Sequence, residues 1–311
     1  MNKLAILSRD AFRYHELIQQ AQLPALELVW ASHNAPQPAE LNQVDILLAD
    51  PDLAAPELQH CKNLTWLQST WAGNAPLLSH PKRDYQLTGI KNVFGQKMRE
   101  YVFAHLLYFS RNIAGFARQQ ASAQWHPPEF GYLAGKTIGI MGVGSIGKVV
   151  AHTAKVFDMQ VRGLSHSSRD CDHIDSYFSR QELKAFAQGL DFLVCLLPHT
   201  ADTSAIIDQA FLACLPEHCV LINAGRGQCI DETALLQALN TRQLRAAVLD
   251  VFIQEPLPPA HPFWQHPNIL ITQHTAAISE PKAIALTFID NYKRFKQGQA
   301  LNYVLDFDKG Y

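Results

Sequence analysis

The six cysteines of this 311-residue chain, at positions 61, 171, 195, 214, 219 and 229, form no CxxC pair. That absence removes the local signature of a dithiol or zinc motif, and cysteines inside apolar runs such as FLVCLLP read as buried free thiols. No metal is expected, and a reducing cytoplasm is the expected setting. No segment offers about 18 uninterrupted apolar residues, so no membrane span is expected. Neither sign of charge prevails: Lys and Arg number 26 against 28 Asp and Glu, a formal charge of -2. There is no overall electrostatic case for nucleic acid or an anionic membrane, and the expected partner is a small molecule. The opening run MNKLAILSRD is too brief for a secretory apolar region followed by a cleavage site.

What is present is alternation. Short apolar strand candidates recur at LAIL (4–7), ELVWA (27–31), VDILLA (44–49) and LTWLQS (64–69), separated by stretches of helical or turn composition. This predicts a parallel sheet with helices on its faces. From Gln96 to Arg118 the pattern lacks Gly and Pro until Gly115 and predicts one helix, long enough to join two domains. After SAQWHPPEFGY a second series begins, comprising TIGIMGV, MQVRGLS, DFLVCLLP, CVLINAG, AAVLDVF and NILITQH. Strands alternating with helical segments in this way predict a doubly wound sheet. Segment 281–297 is again helical. The expected class is α/β, with two doubly wound parallel-sheet domains.

The second series opens on Gly142, Gly144 and Gly147 in G-x-G-x-x-G spacing between a strand and a helix. The first glycine permits a tight turn, the second lets backbone approach a pyrophosphate, and the third lets helix pack on strand. The helix N-terminus adds attraction for the negative charge. A dinucleotide site is therefore expected here. Its next strand ends at Ser165, about 20 residues on, where an NAD site would carry Asp or Glu for the ribose 2′-hydroxyl. No acid stands there, because Asp170 and Asp172 come too late for the strand end. Ser165, His166, Ser167, Ser168 and Arg169 instead offer hydroxyl, imidazole and guanidinium groups suited to a 2′-phosphate. The expected cofactor is NADP(H), with NAD(H) possible.

Three later strand ends look chemical: Arg226 in LINAGRGQCID, Glu255 in VLDVFIQEPLP and His274 in LITQHTAAIS. Taken alone, each has an ordinary reading as a surface arginine, a solvated loop acid or a structural histidine. Together they fall outside the carboxyl ends of strands, where ligands of open α/β sheets bind. Carbonyl reduction needs a hydride, which a dinucleotide supplies, and a proton, which an imidazolium delivers near neutral pH. His274 is the candidate acid, Glu255 the carboxylate that favours its charged form, and Arg226 the anchor for a substrate carboxylate or polarised carbonyl.

Over nearly its whole length, through GVGSIG, LLPHTADTSAII, NAGRGQCIDETALLQAL, LDVFIQEPLP and QHTAAIS, the chain resembles the D-isomer-specific 2-hydroxyacid dehydrogenases. The resemblance implies an Arg-Glu-His catalytic set, carried by Arg226, Glu255 and His274. It implies a Rossmann-type dinucleotide-binding domain, 99–282, inserted in a flavodoxin-like substrate domain made of 1–98 and 283–311, with the active site in the cleft. It extends the cofactor set to Ser145, Ile146, Leu197, Pro198, Ala224, Gly225 and Asp250. In STWAGNAPLL (69–78) it makes the backbone amides of Ala72 and Gly73 donors to the substrate carboxylate, although Asn74 departs from the family's usual aliphatic residue followed by Asp. Trp71 beside them either packs the loop or walls the pocket and limits substrate size, and Trp125 either contacts a dimer partner or caps the local core.

The stretch FGQKMREY (94–101) resembles the glyoxylate and hydroxypyruvate reductase branch. The implied reaction is reduction of a short 2-oxo acid, such as glyoxylate or hydroxypyruvate, to a D-2-hydroxy acid. A homodimer is expected, since symmetric dimers are the commonest closed assembly. Because the chain stops at Tyr311, feedback through an added C-terminal domain is not expected. A formate or phosphite dehydrogenase is one alternative, and a dinucleotide-sensing regulator without turnover another; formate oxidation needs no proton relay, and an intact Arg-Glu-His set argues against the regulator.

Overall fold

The short runs rich in Leu, Ile and Val assemble into two separate sheets, both parallel throughout. The structure, a computed structural model, describes residues 1–166 and 171–308. The chain divides into two compact units, Met1–Val93 with Ser279–Tyr311, and Phe94–Ile278. Among the described residues no helix is long and apolar enough to cross a membrane.

In the first unit, β1 (Asn2–Leu7), β2 (Leu26–Ser32), β3 (Ile46–Ala49), β4 (Trp66–Ser69) and β5 (Gln86–Thr88) lie in the order β2-β1-β3-β4-β5. This is the flavodoxin-like order, and the neighbours β1 and β3 make its switch point. The middle strands β3 and β4 are buried at every position, which is why they read as continuous apolar runs rather than alternating ones. The returning helix Pro281–Lys296 covers β4, with Phe288 stacked on Trp66 at 5.1 Å between ring centroids. Asn291, fully buried, donates to Gln68 Oε1 of β4 at 3.1 Å. Beyond that helix the chain pairs with β5, Leu305 N donating to Leu87 O at 2.8 Å.

In the second unit, β6 (Thr137–Met141), β7 (Gln160–Leu164), β8 (Ser176–Phe178), β9 (Phe192–Cys195), β10 (Val220–Asn223), β11 (Ala246–Leu249) and β12 (Ile269–Ile271) lie in the order β12-β11-β10-β9-β6-β7-β8. The chain starts in the middle at β6, winds outward through β7 and β8, then returns to lay β9 on the other side of β6. The crevice at the carboxyl ends of β6 and β9 is the switch point where such folds bind ligands. Helices cover both faces: Val102 and Leu106 pack with Val150 and Ala154 on one, while Phe186, Leu190, Leu235 and Leu239 fill the other.

The structure departs from sequence periodicity at the linking helix and at two short strands beyond those expected, β5 in the first sheet and β8 in the second. The span expected as one helix is two, Gly95–Ser110 and Ile113–Ala121, because Asn112 takes the left-handed conformation (φ 50) and its Oδ1 accepts the Gly115 amide at 3.1 Å. Asparagine is one of the few residues that enter that region at low cost, and its side chain caps the new helix. The second sheet has a seventh strand, β8, beyond the six expected.

Candidate active site

The glycine loop is shaped by backbone crowding. Gly142 follows β6 with φ 99, and a Cβ there would sit 3.0 Å from Leu196 O. A Cβ on Gly147 would lie 2.4 Å from Gly142 O, so only glycine lets the helix Ser145–Val156 start this close to the strand. Around Gly144 the opposite holds among the described residues: an added Cβ would meet nothing within 4 Å, and no side chain caps the helix that begins after it. Ser145 is exposed and Ile146 half-buried on that first turn. The result is an open cradle in front of an uncapped, partially positive helix end, which fits a pyrophosphate.

The neighbouring loops close around this cradle. Leu197 and Pro198 follow β9, and Ala224 and Gly225 follow β10; a Cβ on Gly225 would lie 2.7 Å from Leu197 O, so the two loops meet backbone to backbone. Ser165 follows β7, half-buried, with its amide donating to Phe178 O at 3.1 Å, and His166 is exposed. Ser167, Ser168 and Arg169 lie outside the described residues.

Arg226, Glu255 and His274 follow β10, β11 and β12 and gather at the same end of this sheet. The turn carrying Arg226 is braced by Asn223, fully buried, whose Oδ1 accepts the Gly225 amide and whose Nδ2 donates to Arg226 O. Gly227 is wedged against the next loop, since a Cβ there would lie 2.0 Å from the Phe252 carbonyl carbon. Arg226 Nη1 donates to Gly225 O at 2.6 Å, and burial lowers the guanidinium's affinity for its proton while Glu255 opposes that loss. The β11 loop folds back so that Glu255 Oε1 accepts the Phe252 amide at 2.9 Å, leaving Oε2 for His274 Nδ1 at 2.6 Å.

The Glu255 hydrogen bond is the largest influence on His274 and raises its pKa above the ordinary 6.5, against partial burial and the nearby Arg226 charge. Partial burial would raise the Glu255 pKa, but His274, the Phe252 amide and Arg226 together bring it below 4.5. The pair therefore favours carboxylate and imidazolium over the two neutral forms. His274 Nε2 has no partner among the described residues, and its ring is 54% exposed, so the second nitrogen is open to a ligand.

Sequence patterns do not reveal what sets the histidine. His274 has φ 55, a left-handed conformation stabilised by its amide donating to Asp250 O at 2.8 Å. The Asp250 carboxylate, 2% exposed, accepts from the Thr275 and Ala276 amides and from Thr272 Oγ1. Asp250, read as a cofactor residue, thus spends its carboxylate on the turn that presents His274. Thr272 Oγ1 also meets Tyr101 OH at 2.8 Å. Glu232 braces the Glu255 loop from outside, accepting the Ile253 amide and meeting His261 Nε2 at 3.3 Å.

Trp71, Ala72 and Gly73 belong to the first unit, at the carboxyl end of β4. Ser69 Oγ accepts the Trp71 amide at 3.1 Å and shapes the turn, while Ala72 is exposed and Gly73 half-buried. Among the described residues neither the Ala72 nor the Gly73 amide has an acceptor. Trp71 packs against Arg9, whose guanidinium carbon stands 5.5 Å from the ring centroid. Asn74 is 6% exposed, with Nδ2 directed at the Trp71 and Ala72 carbonyls. Trp125 caps no local core, being fully exposed.

The family described as "D-isomer specific 2-hydroxyacid dehydrogenase, NAD binding domain" matches residues 103–276, inside the second unit. With this fold and site, the chain belongs to the D-isomer-specific 2-hydroxyacid dehydrogenases, a family of oxidoreductases. Within that family it is similar to glyoxylate/hydroxypyruvate reductase A of Yersinia enterocolitica, 38% identical over 215 residues that make up 69% of each chain. A D-isomer specific 2-hydroxyacid dehydrogenase family protein from Aeromonas salmonicida shares the fold with a TM-score of 0.93 at 40% identity, with 99% of both chains covered. An NADPH-dependent glyoxylate/hydroxypyruvate reductase from Sinorhizobium meliloti, solved with NADP and sulfate, has a TM-score of 0.88 at 28% identity, with 100% of both chains covered.

Proposed function

We propose that this enzyme reduces glyoxylate, hydroxypyruvate and similar short 2-oxo acids to 2-hydroxy acids of D configuration where the product is chiral, using NADPH, with His274 as proton donor. The observation that carries the proposal is the His274 Nδ1 contact to Glu255 at 2.6 Å, which leaves Nε2 without a partner among the described residues, beside Arg226. The open cradle at Gly144 and the uncapped helix after it fit the pyrophosphate of a dinucleotide. When bound, that cofactor supplies the hydride for the carbonyl carbon. His274 Nε2 gives its proton to the carbonyl oxygen, and the carboxylate of Glu255 stabilises the imidazolium until that transfer. Arg226 presents a planar fork of donors to the substrate carboxylate or the polarised carbonyl, and the amides of Ala72 and Gly73 are assigned to the carboxylate as well.

Preference for NADPH is supported by the missing acid at the end of β7, where Ser165, His166, Ser167 and Arg169 are assigned to the 2′-phosphate, and by the NADP carried by the Sinorhizobium relative. NADH is expected to serve less well. Six unpaired cysteines are in keeping with a cytoplasmic enzyme, and a homodimer is the assembly we expect. The test is initial-rate NADPH oxidation with glyoxylate, hydroxypyruvate and pyruvate; dinucleotide binding without turnover on any of them would instead support a sensing role.

A further inference from the structure

At the switch point of the first sheet a single carboxylate ties three strand ends together. Asp50 follows β3 and is 3% exposed. Its Oδ1 accepts from Ser8 Oγ, just beyond β1, at 2.7 Å and from Thr70 Oγ1, just beyond β4, at 2.5 Å. Its Oδ2 accepts from the Arg9 amide at 3.0 Å and from Arg9 Nη1 at 3.2 Å. Burying a carboxyl group is costly unless its lone pairs are used in this way. Arg9 is held further by Asp52, with Nη2 to Oδ2 at 2.6 Å, and lies over the Trp71 ring. Thr70 is fixed at its other end, its carbonyl accepting from Ser279 Oγ at 2.9 Å. The residues so clamped lead directly into the turn whose Ala72 and Gly73 amides lack acceptors among the described residues.

We propose that Asp50 and Arg9 are positioning residues for the Trp71–Asn74 loop. Asp50 holds Thr70 where the loop leaves β4, and Arg9 holds the Trp71 ring, so that the two free amides keep one direction for an incoming carboxylate. An anion donor pair is effective to the extent that its geometry exists before binding, because ordering the loop on binding would otherwise subtract from affinity. Both terminal nitrogens of Arg9 are engaged by Asp50 and Asp52, so we assign it a role through the loop and not as a ligand of the substrate. This role rests on the proposal that the Ala72 and Gly73 amides receive the substrate carboxylate.

The test pairs hydrogen exchange of the segment 66–78 with glyoxylate kinetics in Asp50→Asn, Arg9→Met, Thr70→Val and Thr70→Ser. Thr70→Val and Arg9→Met are included because Asp50→Asn disturbs a buried hub on which folding itself can depend, whereas each of these removes one arm of the clamp. The expected result is exchange in 66–78 faster by about tenfold in the folded variants, unchanged elsewhere in the sheet, with Thr70→Ser close to the unmutated enzyme. KM for glyoxylate should rise about tenfold, with kcat within about twofold and NADPH affinity unchanged, the pattern of lost ground-state positioning and not of lost chemistry. Unchanged exchange in Arg9→Met and Thr70→Val would overturn the clamp whether or not the enzyme turns glyoxylate over. Faster exchange with unchanged KM would overturn the link from clamp to substrate. Absence of turnover in the unmutated enzyme counts against the proposed reaction instead, and the exchange arm still decides the clamp.

Discussion

Glu255 Oε2 stands 2.6 Å from His274 Nδ1, and this contact determines both the charge of the ring and which nitrogen it leaves free. Because the hydrogen bond raises the His274 pKa above 6.5, the imidazolium persists at pH values where an ordinary histidine has lost its proton. Reduction is therefore expected to decline as pH rises past the raised value, at higher pH than an unpaired histidine would allow. The pair's contribution to folding has the same sign: present below about 6.5 and lost as pH rises through the folded-state value. Glu255→Gln removes the carboxylate's charge, so the alkaline limb of kcat/KM should move to lower pH, measurable in a pH series with glyoxylate. An unmoved limb would separate Glu255 from the proton donor.

Arg226 tests the difference between a fork and a point charge. Arg226→Lys keeps a cation but loses the planar donor array and the bond to Gly225 O. Charge-assisted hydrogen bonds contribute about 1.5–3 kcal/mol, so KM for glyoxylate should rise about 10- to 100-fold. The NADPH dissociation constant, measured by fluorescence, should stay within about twofold.

Two glycines should respond in opposite ways. In Gly227→Ala the new Cβ would stand 2.0 Å from the Phe252 carbonyl carbon, a backbone atom that cannot step aside. A loss of about 1–3 kcal/mol or more is expected in denaturant unfolding. Gly144→Ala meets nothing within 4 Å and should unfold like the unmutated chain, yet its methyl fills the cradle, raising the NADPH dissociation constant about tenfold.

Cofactor choice is a separate expectation. Ser165 and His166 follow β7 where an acid would select NAD, so kcat/KM should favour NADPH over NADH, and Arg169→Ala should narrow the ratio. Equal use of NADH by the unmutated enzyme would remove the 2′-phosphate role while leaving the reductase assignment in place.

Much of this architecture is legible in the sequence because buried parallel strands read as unbroken apolar runs: β3, β4, β6, β9, β10 and β11 are buried at every position. The two strands that periodicity passes over, β5 (Gln86–Thr88) and β8 (Ser176–Phe178), have three residues each and lie at sheet edges, too short to show a period. Arg226, Glu255 and His274 stand out because each directly follows or closely trails a strand. Their supports do not: Asn223 and Glu232 look like ordinary polar residues, and Asp250, read as a cofactor residue, shows its hold on the His274 turn only when the chain brings Thr272, Thr275 and Ala276 near. Asp50 is the clearest case: Ser8 lies 42 residues before it and Thr70 lies 20 after it, and no local pattern joins the three.

The most direct measurement compares glyoxylate reduction with NADPH by the unmutated enzyme and by His274→Ala, alongside NADPH affinity for both. The expected result is a fall in kcat of about 10²- to 10⁴-fold, the range of a positioned acid, with NADPH bound equally well. Turnover by His274→Ala within about twofold of the unmutated rate would contradict His274 as the proton donor.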